Sequence, residues 1–268
     1  MGQRLEIAHM GLLEGKKGLI LNIANDRSIA WHIAKAAMGE GADCGFGYLP
    51  TEKMERRVRR AMAEGGFADA WLHACDVTHD RDIDRFFASA AHHFGHIDFL
   101  VHSLAFADRE YLQVGRFLST PRDVFKQALD ISAYSLVALA RGAAPLMHDG
   151  GSIVALTYLG GQRAVPAYNV MGVAKAALES AARYLAFELG AKRIRVNTIS
   201  AGPVRTLSAM AIGGIEEMFE HVQRKSPLRR NIEGEEVGRS AVYLLSDLSS
   251  AVTGQNVFVD AGFNIVGV

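Results

Sequence analysis

The chain has 268 residues, 49% of them hydrophobic and 22% charged, with 29 basic and 29 acidic side chains in balance. That length suits one large domain, and a balanced charge gives no general attraction to nucleic acid or to an anionic membrane. No run reaches the roughly 18 apolar residues of a membrane span, and the opening "MGQRLEIAHMGLLEGKK" breaks its apolar residues with Arg4, Glu6, His9 and Glu14, unlike a secretory leader, so the expectation is a soluble, cytoplasmic protein.

In chain order, "KGLILNIA" from Lys17 reads as a strand and Ser28 to Gly41 as a helix. "ADCGFGYL" from Ala42 with Glu52 to Glu64, and "AWLHACDV" from Ala70 with Asp80 to Gly95, repeat the pair. "IDFLVHSLA" from Ile97 precedes a long helical stretch from Pro121 to Met147, and "GSIVALTYL" from Gly151 precedes another from Ala167 to Gly190. "RIRVNTISA" from Arg193 and "QNVFVDAG" from Gln255 flank a last helix from Glu235 to Asp247. Several of these seven strands are apolar nearly throughout, as a parallel sheet covered on both faces requires. The fold class is therefore α/β, a Rossmann-type doubly wound parallel sheet of seven strands with helices on both faces.

The whole chain, 1–268, reads as a single domain, with an insertion at about 204–230 inside the one stretch, Gly202 to Arg230, that lacks a clean pattern. Connections of that length in compact domains carry function. Arg56, Arg57, Arg59 and Arg60 share a helical segment with Glu52, Glu55 and Glu64 and read as a solvated face rather than a nucleic-acid site. Cys44 and Cys75 lie in apolar runs without metal-ligand spacing, so no metal is expected.

Ligands of an open parallel sheet bind beyond the carboxyl ends of its strands. The first of those ends, "NIANDRSIAW", contains no glycine, although a phosphate turn needs exposed N–H groups, a helix N-terminus and small residues. Asn22 stands at the turn, Ala24 and Ala30 are small, Ser28 is a candidate N-cap or phosphate-contacting hydroxyl, and Ile29 follows it. Asparagine tolerates left-handed backbone better than other non-glycine residues, at a cost of about 1 kcal/mol. On its own this segment leaves cofactor binding open.

In "YLGGQRAVPAYNVMGVAKAALE", Tyr168 and Lys175 are seven residues apart, about 20° from one azimuth on an α-helix, so both would face one cleft. A lysine four residues after the tyrosine would fall at Gly172. With "IANDRSIAW", "CDV" at Cys75, "VHSLAFA" at Val101, "DISAYS" at Asp130, "RVNTISAGPVRT" at Arg195, "SPLRR" at Ser226 and "SDLSSAVTGQNVFVDAGF" at Ser246, this chain resembles the enoyl-acyl-carrier-protein reductases of bacterial fatty acid synthesis, a branch of the short-chain dehydrogenase/reductase superfamily. The likeness runs from about Gly11 to Ile265.

The resemblance implies hydride transfer from NADH to the trans-2 double bond of an enoyl thioester, carried on acyl carrier protein or coenzyme A, in fatty acid elongation. Charge left on the thioester oxygen needs a donor, which the resemblance assigns to Tyr168. Lys175 would hold the nicotinamide ribose, and Tyr158 would be a second pocket tyrosine. Asp76 and Val77 would flank the adenine, Ser103, Leu104 and Ala105 would lie beneath the cofactor, and Val204 with Thr206 would fix the carboxamide. Asp76 equally suits a helix N-cap. Leu49, Pro50, Thr51 and Glu52 stand where an NADP(H) enzyme wants a cation, which favours NAD(H) over NADP(H), with Lys53 and Arg56 nearby.

Val204 to about Gln223 resembles the family's substrate loop, with Leu207, Ala209, Met210 and Ile212 to cover an acyl chain and Gly213-Gly214 as hinge; an amphipathic surface helix is the alternative. Ala107, Leu112, Met171, Tyr158 and Tyr168 would complete an acyl pocket. The family habit is a homotetramer. Asn22, His32 and Ala261 depart from usual glycines, which predicts weakened cofactor binding at Asn22, relieved by Asn22→Gly, and a local shift at His32. The rival readings are a related dehydrogenase acting on another enoyl or carbonyl substrate and a non-catalytic dinucleotide-binding protein.

Overall fold

The computed structural model describes residues 10–207 and 209–267. The leader reading rests largely on positions 1–9, outside the described residues. The chain runs β1 (Lys17–Leu21), α1 (Ile29–Gly39), β2 (Asp43–Tyr48), α2 (Glu52–Glu64), β3 (Leu72–Ala74), α3 (Asp80–Phe94), β4 (Phe99–His102), α4 (Arg122–Leu129), α5 (Ser135–Ala143), β5 (Gly151–Thr157), α6 (Asn169–Leu189), β6 (Ile194–Ala201), α7 (Ile215–Lys225), α8 (Gly234–Leu245) and β7 (Asn256–Val259). The strands form one parallel sheet in the order β3-β2-β1-β4-β5-β6-β7, so all seven expected strands are present.

Alternate residues of each central strand feed opposite cores, which is why the strands read as apolar without a break. Ile20, Val101 and Val154 pack with α1, α2 and α8 through Ile33, Val58 and Val237. Leu19, Leu100 and Ile153 pack on the other face with α3, α5 and α6 through Phe86, Leu139 and Leu178. Burying each such side chain stabilises the fold by roughly 1.5–3 kcal/mol. Both cysteines are buried and free. On α2, Arg56, Arg59 and Arg60 pair with Glu52, Glu55 and Glu64 along the exposed face. Among the described residues no helix is long and apolar enough to cross a membrane.

Two segments differ from the pattern reading. The stretch from Pro121 to Met147 is not one helix, because a π-helical turn at Asp130–Tyr134 separates α4 from α5. Side chains there compete for main-chain groups: Ser132 Oγ accepts from Phe106 N at 2.9 Å, and Ser135 Oγ donates to Ile131 O at 2.7 Å. In the long connection, the open alternative of an amphipathic helix is realised as α7, which buries Ile215, Phe219 and Val222 at helical spacing.

His32 does not disturb helix-to-sheet packing as expected, because its ring faces α8. A Cβ on Gly234 would lie 2.1 Å from His32 Cδ2, and one on Gly238 would lie 2.6 Å from His32 O. Two glycines of α8 thus supply the space that a small residue on α1 would otherwise provide. Gly238→Ala is expected to lower the unfolding free energy by about 1–3 kcal/mol. The His32→Ala background relieves the penalty at Gly234→Ala, where the clash is with a ring, but not at Gly238→Ala, where it is with main chain. Urea unfolding of the three single and two double variants checks this, and equal relief at both sites would refute it.

Candidate active site at the sheet switch point

The chain leaves β1 toward β2 on one side and returns as β4 on the other, so a crevice opens between their carboxyl ends. A cavity of about 360 Å³ lies there. Asn22, Ala24, Ser28 and Ile29 form one wall. Asn22 has φ 73°, the left-handed conformation for which glycine is usual. Its amide donates to Ser103 O at 2.9 Å and its N–H to Gly47 O at 2.9 Å, tying the first turn to the ends of β4 and β2. Asn22 is therefore a bridging residue rather than a degraded glycine, which removes the premise for weakened binding. Ala261, the other departure with positive φ, adopts 57°.

Ser28 is the N-cap of α1: its hydroxyl accepts from Trp31 N at 3.3 Å and donates to Asn25 O at 2.8 Å. No acidic side chain occupies the first turn of α1, so the positive end of the helix faces the crevice without a competing carboxylate. These features fit a dinucleotide pyrophosphate.

Ser103, Leu104 and Ala105 line the cavity at the end of β4. Leu49, Asp76 and Val77 do not; they lie farther along the same sheet edge, after β2 and β3, with Leu49 47% exposed. The Asp76 carboxylate accepts from Thr78 N at 3.0 Å and from Thr78 Oγ1 at 2.7 Å, closing the turn ahead of α3. Arg56, one of the two cations that follow Leu49 to Glu52, is paired with Glu52.

Tyr168, Tyr158 and Lys175 all line the cavity, but not from one regular rod. Tyr168 is the residue before α6, flanked by Ala167 at φ 64° and Asn169 at φ 44°. Left-handed backbone at both neighbours costs roughly 1–2 kcal/mol each, and strain of this kind clusters at functional sites. Asn169 helps to offset it by donating to Tyr111 O at 2.6 Å and Gln113 O at 2.7 Å. Lysine could not stand at position 172, because a Cβ there would lie 2.7 Å from Gly160 O.

The Lys175 ammonium is 4% exposed and donates to Leu156 O at 2.7 Å and Leu104 O at 3.4 Å. Of its three N–H donors, one remains for a ligand. Burial pulls Lys175 down to about 8, with Glu179 opposing the fall. Burial raises the Tyr168 phenol well above its ordinary range, helped by Tyr158 and Glu179, and pushes Tyr158 up to about 12. Both phenols therefore stay protonated at neutral pH as hydrogen-bond donors. Their rings meet at 4.9 Å and 67°, and the Tyr158 hydroxyl donates to Met218 Sδ at 2.9 Å.

Across the cavity, Val204, Thr206, Ala209 and Ile212 line the wall, and Thr206 Oγ1 accepts from Ala209 N at 3.1 Å. Met210 is not part of that wall and is 45% exposed, because the tight turn at Ala209–Ala211 aims Ala209 inward and Met210 out. Leu207 also faces solvent, at 53%. Ala107, Leu112 and Met171 cluster with Tyr168, and Ile212 packs against them, giving an apolar wall beside the two phenols. Arg205 clasps Glu216 at 2.6 and 2.8 Å across the loop. Sequence reasoning missed Asn169, Met218, buried His102 and buried Glu179. Met218 carried a signal in the period of Ile215, Phe219 and Val222, whereas the others depend on partners distant in sequence.

A family model described as enoyl-(acyl carrier protein) reductase matches residues 23–264. The protein of Nostoc sp. named as the NADH form of enoyl-acyl-carrier-protein reductase is 51% identical over 96% of this chain and 99% of its own length. The Synechocystis sp. protein of the same name is 49% identical over the same shares. The crystal structure of the corresponding Aquifex aeolicus reductase superposes with a TM-score of 0.91 at 46% identity, covering 96% of this chain and all of that one.

The bridging geometry of Asn22 makes a prediction opposite to the glycine argument. Asn22→Ala, which loses both the left-handed tolerance and the amide bond, lowers the unfolding free energy by about 1–2 kcal/mol. Asn22→Gly loses less, and neither variant tightens NADH binding. Calorimetric titration checks this: a clearly tighter NADH complex in Asn22→Gly would show that the side chain crowds the pyrophosphate.

Proposed function

The chain belongs to the enoyl-acyl-carrier-protein reductase family, NADH-dependent oxidoreductases acting on CH–CH bonds, and from that premise we propose how its own residues perform the reaction. The observation that supports the assignment best is the meeting of a buried neutral phenol, Tyr168, and a buried ammonium, Lys175, in one cavity with an apolar wall.

Asn22, Ala24, Ser28 and Ile29 hold the pyrophosphate against the start of α1. Leu49, Asp76 and Val77 receive the adenosine end, Ser103 to Ala105 support the cofactor from below, and Val204 with Thr206 fix the carboxamide. Glu52 beside Leu49, with Arg56 paired to it, disfavours the extra phosphate of NADPH. Bound NADH supplies the hydride that reaches the β-carbon of the enoyl thioester.

Tyr168 donates its O–H to the thioester oxygen, where negative charge develops as the double bond is reduced. Because the donor is a raised, neutral phenol in a dry site, it stabilises that charge without losing its proton first. Lys175 keeps its third N–H on the ribose and adds positive potential behind the oxyanion. A proton from solvent water then adds at the α-carbon as the enolate reverts to the thioester carbonyl, and the saturated thioester leaves. Tyr158 is held by Met218 and packs against Tyr168, orienting it. Ala107, Leu112, Met171, Ala209 and Ile212 line the acyl chain's path, with 204–230 as the substrate segment of one reductase domain.

Two further parts of the proposal concern the whole molecule. The free, buried cysteines suit a reducing cytoplasm. Tyr184 and Phe187, on the solvent side of α6 at 76% and 89% exposure, give the apolar surface that a homotetramer would cover.

In an assay of NADH oxidation with crotonyl or longer enoyl thioesters, Tyr168→Phe is expected to lower kcat by about 10²-fold or more, and Tyr158→Phe by less. An unaffected Tyr168→Phe enzyme would overturn the assignment. Because Lys175 loses its proton as pH rises through about 8 in the folded protein, kcat/KM falls across that range; a flat profile to pH 10 would remove the ammonium from the mechanism. For assembly, Phe187→Asp should convert a tetramer to smaller species in sedimentation, and a monomeric parent protein would refute the tetramer.

A further inference from the structure

Glu179 lies on α6 one turn beyond Lys175 and is 5% exposed, yet no step above uses it. Its Oε1 accepts from the Thr157 hydroxyl at 2.7 Å and its Oε2 from the Gln162 amide at 3.1 Å. Each carboxyl oxygen is thus met by a donor within its buried site. Neither donor is charged, so a buried negative charge stands without an ion-pair partner in contact, an arrangement that is costly unless a positive charge lies near.

The titratable groups that face Lys175 are Glu179 and Tyr168 along its own chain segment, His102 from the end of β4 and Tyr158 from the end of β5. His102 is fully buried, and burial and the Lys175 charge hold it down to about 3, so it is neutral. Its Nε2 is 2.7 Å from Ser135 Oγ. Both phenols are neutral as well. Glu179 is the acidic side chain of this set, and its influence on Lys175 opposes the effect of burial.

We propose that Glu179 is a positioning residue that acts through Lys175: its buried carboxylate is the counter-charge that keeps the Lys175 ammonium protonated within the cavity, and Thr157 and Gln162 hold that carboxylate in place. The inference rests on the role given to Lys175 above. Thr157 directly precedes Tyr158, and Gln162 closes the turn after it, so the same two hydrogen bonds fasten the end of β5 to α6. Lysines buried without compensation titrate at about 5–6. One that must donate to a ligand at neutral pH needs the balance Glu179 supplies.

The test is a pH titration of the cofactor-free protein labelled with ε-¹³C lysine, following the Lys175 resonance identified by its loss in Lys175→Arg. The wild-type midpoint is expected near 8. Glu179→Gln, which keeps shape and removes charge, should lower it by about one pH unit or more, and Glu179→Asp, which keeps the charge, should restore most of the difference. An unmoved midpoint in folded Glu179→Gln overturns the proposal. Should that variant fail to fold, the wild-type value decides, since a midpoint at or below about 6 would show no compensation. Failure of the reductase reading would appear separately, as absence of enoyl-dependent NADH oxidation, and leaves this titration standing.

Discussion

The Lys175 ammonium constrains everything packed around it. A charge that is 4% exposed must be met by oriented oxygens, and two come from main-chain carbonyls, Leu156 O and Leu104 O. Those carbonyls lie near the carboxyl ends of β5 and β4, where the ladder of the sheet is ending. The strand ends therefore have to sit side by side at the height of the second turn of α6. Confining the charge has a cost in stability: below about pH 8 the folded state carries the buried ammonium at full cost, and that cost is relieved as pH rises from 8 toward the ordinary value of 10.5.

The other site elements answer the same demand from different directions. Right-handed βαβ crossovers place α1 on one face of the sheet and α6 on the other, and the reversal of strand order between β1 and β4 opens the gap their ends share. Asn22 closes the floor of that gap by joining the first turn to Ser103. Tyr168 reaches it only because Ala167 and Asn169 accept left-handed backbone, with Asn169 anchored to the 111–113 loop. Val204, Thr206, Ala209, Ile212, Ile215 and Met218 then complete a wall that is polar at the phenols and apolar beyond them.

The extent to which this was legible in the sequence varies with the range of the forces involved. The strands declared themselves because a residue buried on either face of a parallel sheet must be apolar, a condition each position meets on its own. The helices on the outside showed their period for the same reason, and the ion pairs of α2 were visible at four-residue spacing. The π turn at Asp130–Tyr134 was hidden because it depends on Ser132 and Ser135 finding partners in Phe106, Ile131 and His102. The spacing of Tyr168 and Lys175 put both on one cleft, and both line the cavity, although the helix begins one residue too late to include Tyr168.

From residue order alone follow the βαβ alternation, the two-sided burial of the sheet, the family motifs and the candidate phenol and ammonium, because these rest on short-range periodicity and on chemistry carried by single side chains. Folding in three dimensions settled the rest: that Asn22 bridges rather than obstructs, that His32 is received by Gly234 and Gly238, that Met210 turns outward, and that Glu179 is buried with Thr157 and Gln162 on its oxygens. Each of these turns on burial and on contacts between residues far apart along the chain, and such quantities have no value until the chain has closed on itself.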